Sequence, residues 1–416
     1  MRTFLRQKIS LLAVLSVFLF SGCLKDSVTK TYTILTPVIK PKQEVLASIK
    51  SDDPRTIGSA GKFYLYGNYI FLNEVNKGVH VINNANPKSP QRVAFISIPG
   101  NLDIAVKGNV LYADFYMDML TIDISDPNDA KLLNVVPNLF PERQYGSGFF
   151  IDSSQVIVDW QRKDTTVSAA ENESDLSGCI NCIFDLAYSS SPSKSSAVPG
   201  VAGSMSRFAI IQDYLYAVNM SAVVVHDIST PSSPVVLNTK NFGWNIETIY
   251  PFKDKLFVGS STGMFIFSLN DMKSPELVGA FGHANACDPV VADDKYAYVT
   301  LRSGSRCWSI NNQLDVINVE NVMAPSLVKT YNLVNPHGLS LDGDLLFVCD
   351  GSAGLKVFNV ADPMDLKLIR HVGGMTTYDA IAWNNRLYLV TSNGINQYDY
   401  TDAGSLSLLS TININN

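Results

Sequence analysis

Cysteine and histidine are scarce in this sequence, six and five in 416 residues. So dilute a set of cysteines excludes a small disulfide-stapled scaffold. So few histidines leave little for a metal hydrolase. Charged residues make up only 17% of the chain, with 38 acids against 32 bases. No basic block occurs after the N-terminus, which argues against a nucleic-acid partner. Beyond the first twenty residues no apolar run is long enough to cross a bilayer. Catalytic signatures are equally thin, with no P-loop, no H-E-x-x-H and no G-x-G-x-x-G following a strand. An apolar share of 46% excludes a disordered chain.

The N-terminus reads as an address. Arg2, Arg6 and Lys8 precede an apolar stretch from Ile9 to Phe20, and Ser21-Gly22-Cys23 follows. A charged n-region and a short apolar core make a signal peptide, not a membrane span. Small residues directly before a cysteine resemble the bacterial lipobox, which implies that Cys23 becomes the acylated N-terminus; an ordinary signal peptide is the alternative. Residues 1–22 are therefore expected to be removed. Residues 23–61, rich in proline and mixed polar residues, read as a lipid-anchored tether in which Glu44–Lys50 could form one short element.

Residues 62–416 repeat. A short β-rich run recurs with Phe71, Tyr112, Ile157, Tyr216, Phe257, Tyr298, Phe347 and Tyr388 at its centre, at spacings of 41, 45, 59, 41, 41, 49 and 41. Each copy has a run with a turn, then this anchor, then an apolar alternation closing on a polar turn, then a short fourth run. Met119–Pro127 and Gly354–Pro363 are the clearest third runs. Four strands per 41 residues is the period of a propeller blade. The expected fold is all-β, a β-propeller of four-stranded blades, eight by count and seven if the third copy (Tyr145–Gly200) is degenerate. A lone blade cannot bury both faces of its sheet, so blades stack in a ring.

Repeats of the form apolar–x–apolar–x–Asp–apolar–Ser–Asp–Pro resemble the LVIVD-repeat family of bacterial β-propeller-like proteins. The anchored versions look like lipoproteins of Bacteroidota-type bacteria. The resemblance implies a cell-envelope protein held by lipid, in the outer membrane, facing either the periplasm or the exterior. It implies no activity. The last copy (Tyr378–Ile414) departs from the pattern, with Tyr400-Thr401-Asp402-Ala403-Gly404 in place of Ser-Asp-Pro.

The extra length in the third and sixth copies falls between second and third strands, which places both insertions on one face. Loops on a rigid scaffold carry function. The candidate binding face therefore gathers Tyr116, Arg143, Tyr145, Trp160, Arg162, Trp244, His283, Arg302, His337 and Tyr378, aromatic groups beside arginines. Asp103, Glu247, Asp288 and Asp379 start innermost strands and converge on the axis. They could hold Ca²⁺, serve as the acid pair of a glycosidase or lyase, or tie neighbouring blades together by hydrogen bonds, with no cofactor at all. Cys287 and Cys307 flank the sixth copy's first and second strands and are placed to form a disulfide. Cys179 and Cys182 form an isolated C-x-x-C, read as a local disulfide or two free thiols. Cys349, inside a second strand, reads as a buried unpaired thiol. The leading expectation is a monomeric, non-catalytic binding or scaffold protein for an envelope protein or glycan. The alternative is a carbohydrate-active enzyme using the mouth acids.

Overall fold

The second strand of each repeat determines the architecture, because it is apolar on both sides and must be covered on both. In a computed structural model, which describes residues 29–143, 152–168, 200–243, 245–283, 289–303, 311–402 and 404–414, seven such strands sit in the middle of seven antiparallel sheets. Blade 1 spans Ala60–Ser97, blade 2 Ile104–Val136 and blade 3 Phe208–Asn241. Blade 4 spans Ile246–Gly282, blade 5 Val290–Asn332, blade 6 Leu339–Val372 and blade 7 Thr377–Asn413. The anchors Phe71, Tyr112, Tyr216, Phe257, Tyr298, Phe347 and Tyr388 are all buried. The propeller has seven blades, the smaller of the two expected counts.

Ile157 is the anchor that does not make a blade. Its strand, Gln155–Ser168, pairs with Thr29–Pro41 in a separate two-stranded ribbon. From Asp159 onward the strand is almost wholly polar, so it has no second apolar face to bury between neighbours. Thr31 Oγ1 meets Thr166 Oγ1 at 3.0 Å, and Thr33 donates to Asp164 at 2.6 Å. The chain divides accordingly into two compact units, residues 1–39 with 159–183, and residues 40–158 with 184–416. The ribbon is the described part of the first unit, and the ring belongs to the second.

Antiparallel alternation fixes the two faces of the ring. The starts of the first strands, the turns between second and third strands and the blade-to-blade connections share one face. The turns between first and second and between third and fourth strands share the other. The larger insertion therefore joins blade 2 to blade 3, instead of the second and third strands of one blade as expected. The smaller one, between Leu301 and Gln313 in blade 5, is where the sequence placed it. Both leave the ring on the same face, and the larger one returns at Gly200 beside Tyr66, at the other end of blade 1's innermost strand.

The fourth strand of every blade slips by one residue against the third, as between Val357 and Phe358 or between Val225 and His226. A bulge on an exposed edge twists it away from pairing with other chains. In blade 1 that edge is also covered, by Ser51–Asp52 pairing with Phe95 and Ile96. The segment expected as tether thus takes part in the ring from residue 40 on. Lys42–Ala47 is a short helix, and Val45, Leu46 and Ile49 are buried in the same core cluster as blades 1, 2 and 3.

Gly78 and Gly394 open third strands with φ of 143°. A Cβ there would sit inside the contact radius of the Ile96 or Ile412 carbonyl oxygen of the fourth strand. Gly394→Ala is expected to cost about 1–3 kcal/mol, read as a lower urea midpoint. An unchanged midpoint would mean that the fourth strand yields without penalty.

The ring closes where blade 7 meets blade 1. Each blade draws its strands from one contiguous stretch, so no blade is shared between the two ends of the chain. Across the seam, Ile57 bridges Ile414, Gln397 donates to Asn84 at 2.8 Å and Ser410 donates to the Pro87 carbonyl at 2.6 Å. Phe63, Leu65 and Ile70 pack there with Ile381, Val390 and Ile395.

Candidate functional site

Near the start of the innermost strand of blades 2 and 7 an aspartate accepts from the backbone of its own next residue. Asp103 accepts from its neighbour Ile104 N–H at 2.8 Å, and Asp379 does the same for Ala380 at 2.7 Å. Asp103 reaches further. Its second oxygen takes the Lys62 ammonium of blade 1 at 2.5 Å and the Arg207 N–H of blade 3 at 2.6 Å. Lys62 and Asp103 are buried. Burial holds the Lys62 pKa below the ordinary lysine value despite the partner carboxylate. Of the three roles open to the mouth acids, Asp103 has the blade-tying one.

A glycosidase needs two carboxyls flanking an open cleft, and neither Asp103 nor Asp379 is accessible, each being 1% exposed. Glu247 is half-buried and within electrostatic reach of Arg302. Asp288 lies outside the described residues. Among the described residues no three His, Cys, Asp or Glu side chains stand close enough to hold a metal ion.

Of the aromatic and cationic candidates, two groups come together. Arg302, at the end of the second strand of blade 5, meets His337 Nδ1 at 2.7 Å, and the His337 ring stands edge-on to Tyr378 with centroids 5.5 Å apart. Blades 5, 6 and 7 each contribute one member. Burial, with the Arg302 charge beside it, pulls the His337 pKa down to about 3, so the ring is neutral at pH 7. The second group is in and beside blade 2. Arg143 binds Asp114 at 2.5 Å and donates to the Tyr116 carbonyl at 3.1 Å, stacking over Phe140 at 4.5 Å. Tyr116 turns the chain at φ 52° and donates its hydroxyl to the Ile157 carbonyl at 2.7 Å.

His283 follows blade 4, and its N–H donates to the Thr262 carbonyl at 3.3 Å. Trp160 and Arg162 belong to the ribbon, where Arg162 contacts Asp164 and Thr33, each at 3.3 Å. Tyr145, Trp244, Cys23, Cys287, Cys307, Cys179 and Cys182 lie outside the described residues. Cys349 is a buried free thiol whose pKa burial raises, with Asp379 adding to the shift.

Sequence reasoning missed the polar residue that ends the second strand. Asp114 receives the Leu102 and Asp103 N–H groups at 2.7 and 2.9 Å, and Asp350 receives Val334 and Asn335 at 2.9 and 2.8 Å. The signal was a buried-strand pattern ending in Asp, Asn, Ser or Thr in nearly every copy. Gly259-Ser260-Ser261-Thr262-Gly263 also fits the G-x-S-x-G spacing and was overlooked. It forms a β-hairpin turn where a nucleophile elbow needs a strand-to-helix turn. The motif serine, Ser261, is buried, and its N–H donates to the Asn245 carbonyl at 3.1 Å.

The two faces differ in how their charges are held, since the insertion-bearing face pairs buried acids, in Lys77–Glu74, Lys42–Asp118, Arg143–Asp114 and Lys356–Asp350. On the insertion-bearing face the turns are Asn76-Lys77, Tyr116-Met117, Asn219-Met220-Ser221, Ser261-Thr262, Gly351-Ser352-Ala353 and Ser392-Asn393. Met220 in the blade 3 turn and Val334 in the connection from blade 5 to blade 6 are exposed, at 42% and 55%. The ion pairs of the opposite face instead have exposed acids, as in Lys253–Asp294, Lys107–Asp213, Lys131–Asp129 and Lys295–Glu320.

The LVIVD repeat family model matches residues 101–134 and 202–239, within blades 2 and 3 and the segment just ahead of each. No curated protein matches the sequence. Among solved structures, a protein from Lactobacillus plantarum has a TM-score of 0.53 at 14% identity, covering 85% of this chain and 97% of its own. The Pseudomonas aeruginosa periplasmic gluconolactonase PpgL scores 0.51 at 14% identity, covering 85% and 96%. Saccharomyces cerevisiae Sqt1 scores 0.50 at 8% identity, covering 88% of each chain. At such identities the likeness establishes the propeller fold alone.

Proposed function

We propose that this LVIVD-repeat β-propeller is a lipid-anchored binding protein of the bacterial envelope, whose insertion-bearing face captures a protein or glycan partner. The observation that carries the reading is the chemical contrast between the faces. One face displays asparagine, serine, threonine and glycine with tyrosine and exposed aliphatic groups, its acids are buried in ion pairs, and both insertions leave the ring there. The other is dominated by solvated ion pairs. Small hydroxyl and amide groups adapt their hydrogen bonds to a partner, while rigid aromatic groups supply contact area at low entropic cost. Exposed ion pairs, in contrast, are well hydrated and contribute little to contact energy. The anchoring part rests on Ser21-Gly22-Cys23, and acyl labelling of wild type against Cys23→Ala tests it.

Binding is tested by affinity capture from solubilised envelopes and by a glycan array, with the Met220→Asp/Val334→Asp double variant beside wild type. The expected result is a partner whose affinity falls about tenfold or more in that variant. It should be retained in the opposite-face control Lys253→Ala/Asp294→Ala. Equal capture by both variants, or loss only in the control, would overturn the assignment of the face.

A further inference from the structure

We propose that residues 200–206 act as an internal peptide ligand, an axle that occupies the axis of the propeller and holds the ring closed from within. Gly200 and Val201 add antiparallel to Tyr66 and Leu65, on the inner edge of blade 1. Ser204 Oγ accepts from the Leu339 N–H of blade 6 at 3.4 Å, and the Ser206 carbonyl accepts from the Ile249 N–H of blade 4 at 2.8 Å. Ser206 Oγ lies 3.5 Å from Asp103 of blade 2. Only a segment on the axis can touch the innermost strands of blades 1, 2, 4 and 6 at once.

Its composition fits that place. Gly200, Ala202, Gly203, Ser204 and Ser206 are among the smallest residues, as a narrow channel requires, Met205 is the one long side chain, and Val201, Ser204, Met205 and Ser206 are buried. Val201 belongs to the apolar cluster of the seam between blades 7 and 1, and Ala202 packs on that of blades 1, 2 and 3. With no blade shared between the chain's ends, the seam rests on side-chain packing and a few hydrogen bonds. An extended peptide added to an open strand edge contributes backbone bonds that are insensitive to sequence, while close walls select small side chains. The axis is thus a groove for a short peptide of mostly small residues, extended at Gly200–Val201 and turned at Gly203–Ser206, supplied here by the chain itself. A ligand that binds only the closed ring stabilises it by mass action.

The test replaces residues 200–206 in the full chain by glycine and serine at the same length. The melting midpoint is expected to fall by several degrees, and the Leu339 and Ile249 amides to exchange about tenfold or more faster. Fourth-strand amides of blade 5, remote from the axis, should keep their rates. A synthetic peptide with the sequence of residues 200–206, added in millimolar amounts, should restore the midpoint saturably, and a scrambled peptide should not. A wild-type midpoint in the replaced chain, or a lowered midpoint that the peptide leaves unmoved, overturns the proposal. If the replaced chain does not fold, Val201→Ala and Ser204→Ala decide. Faster exchange at Leu339 supports the axle, and unchanged exchange refutes it.

Discussion

Replacing Asp103 by alanine is expected to destabilise the propeller by about 3–5 kcal/mol, the range for removing one partner of a buried ion pair. The reason is what stays behind. Lys62 is 3% exposed and loses its nearest counter-charge, with the Arg207 cation also acting on it. The Arg207 and Ile104 N–H groups lose their acceptor as well. Three blades meet at this carboxylate, so the loss should appear as one cooperative shift of the urea midpoint, not as local fraying. Asp103→Asn keeps an oxygen for the N–H groups and should cost less. Lys62→Met combined with Asp103→Leu should recover part of the loss, since no uncompensated charge remains. A loss below about 1 kcal/mol for Asp103→Ala would show that Lys62 deprotonates or reaches water at little expense.

The ring was legible because its signal repeats. A 41-residue interval, an apolar second strand and a polar turn after the third each recur, and seven of the eight anchors became the centres of blades. Ile157 failed for a visible reason, since the strand after Val158 turns polar and lacks the closing Pro turn. Its apolar run of Val156-Ile157-Val158 is too short to tell a blade from a ribbon. The role of Asp103 was open among three readings because spacing alone cannot show whether a carboxylate faces solvent or a buried lysine 41 residues earlier. The clustering of Arg302 with His337 and Tyr378 depends on three blades converging, which no local pattern encodes. The axial segment was invisible for a similar reason. Gly200-Val201 carries no strand pattern of its own, and it becomes a strand only by pairing with Tyr66 and Leu65.

Acidification from pH 7 to pH 5 is expected to destabilise the protein by about 2 kcal/mol for each of two histidines. His226 is fully buried on the third strand of blade 3, between Leu215 and Val236 of the adjoining strands. Burial lowers its pKa to about 4, with the Leu215 and Val224 backbone pulling weakly the other way. His337 is lowered to about 3 by burial and by Arg302. A histidine in the unfolded chain takes up its proton near pH 6.5. Between that value and the folded pKa, the unfolded chain binds more protons than the native one. Stability is therefore complete above about pH 6.5, falls as the pH drops, and levels off for His226 near pH 4 and for His337 near pH 3. Glu74 acts in a separate and lower window. Burial alone would raise its carboxyl, but His80, Lys77 and Arg55 bring it down to about 2, so its contribution is lost only below about pH 4.5. Urea midpoints at pH 7, 6, 5, 4 and 3 separate the two windows. His226→Leu should about halve the slope between pH 7 and 5 without touching the decline below pH 4. A wild-type midpoint that stays constant from pH 7 to 5 would mean that both rings are protonated in place, with water or a carboxylate reaching them inside the blades.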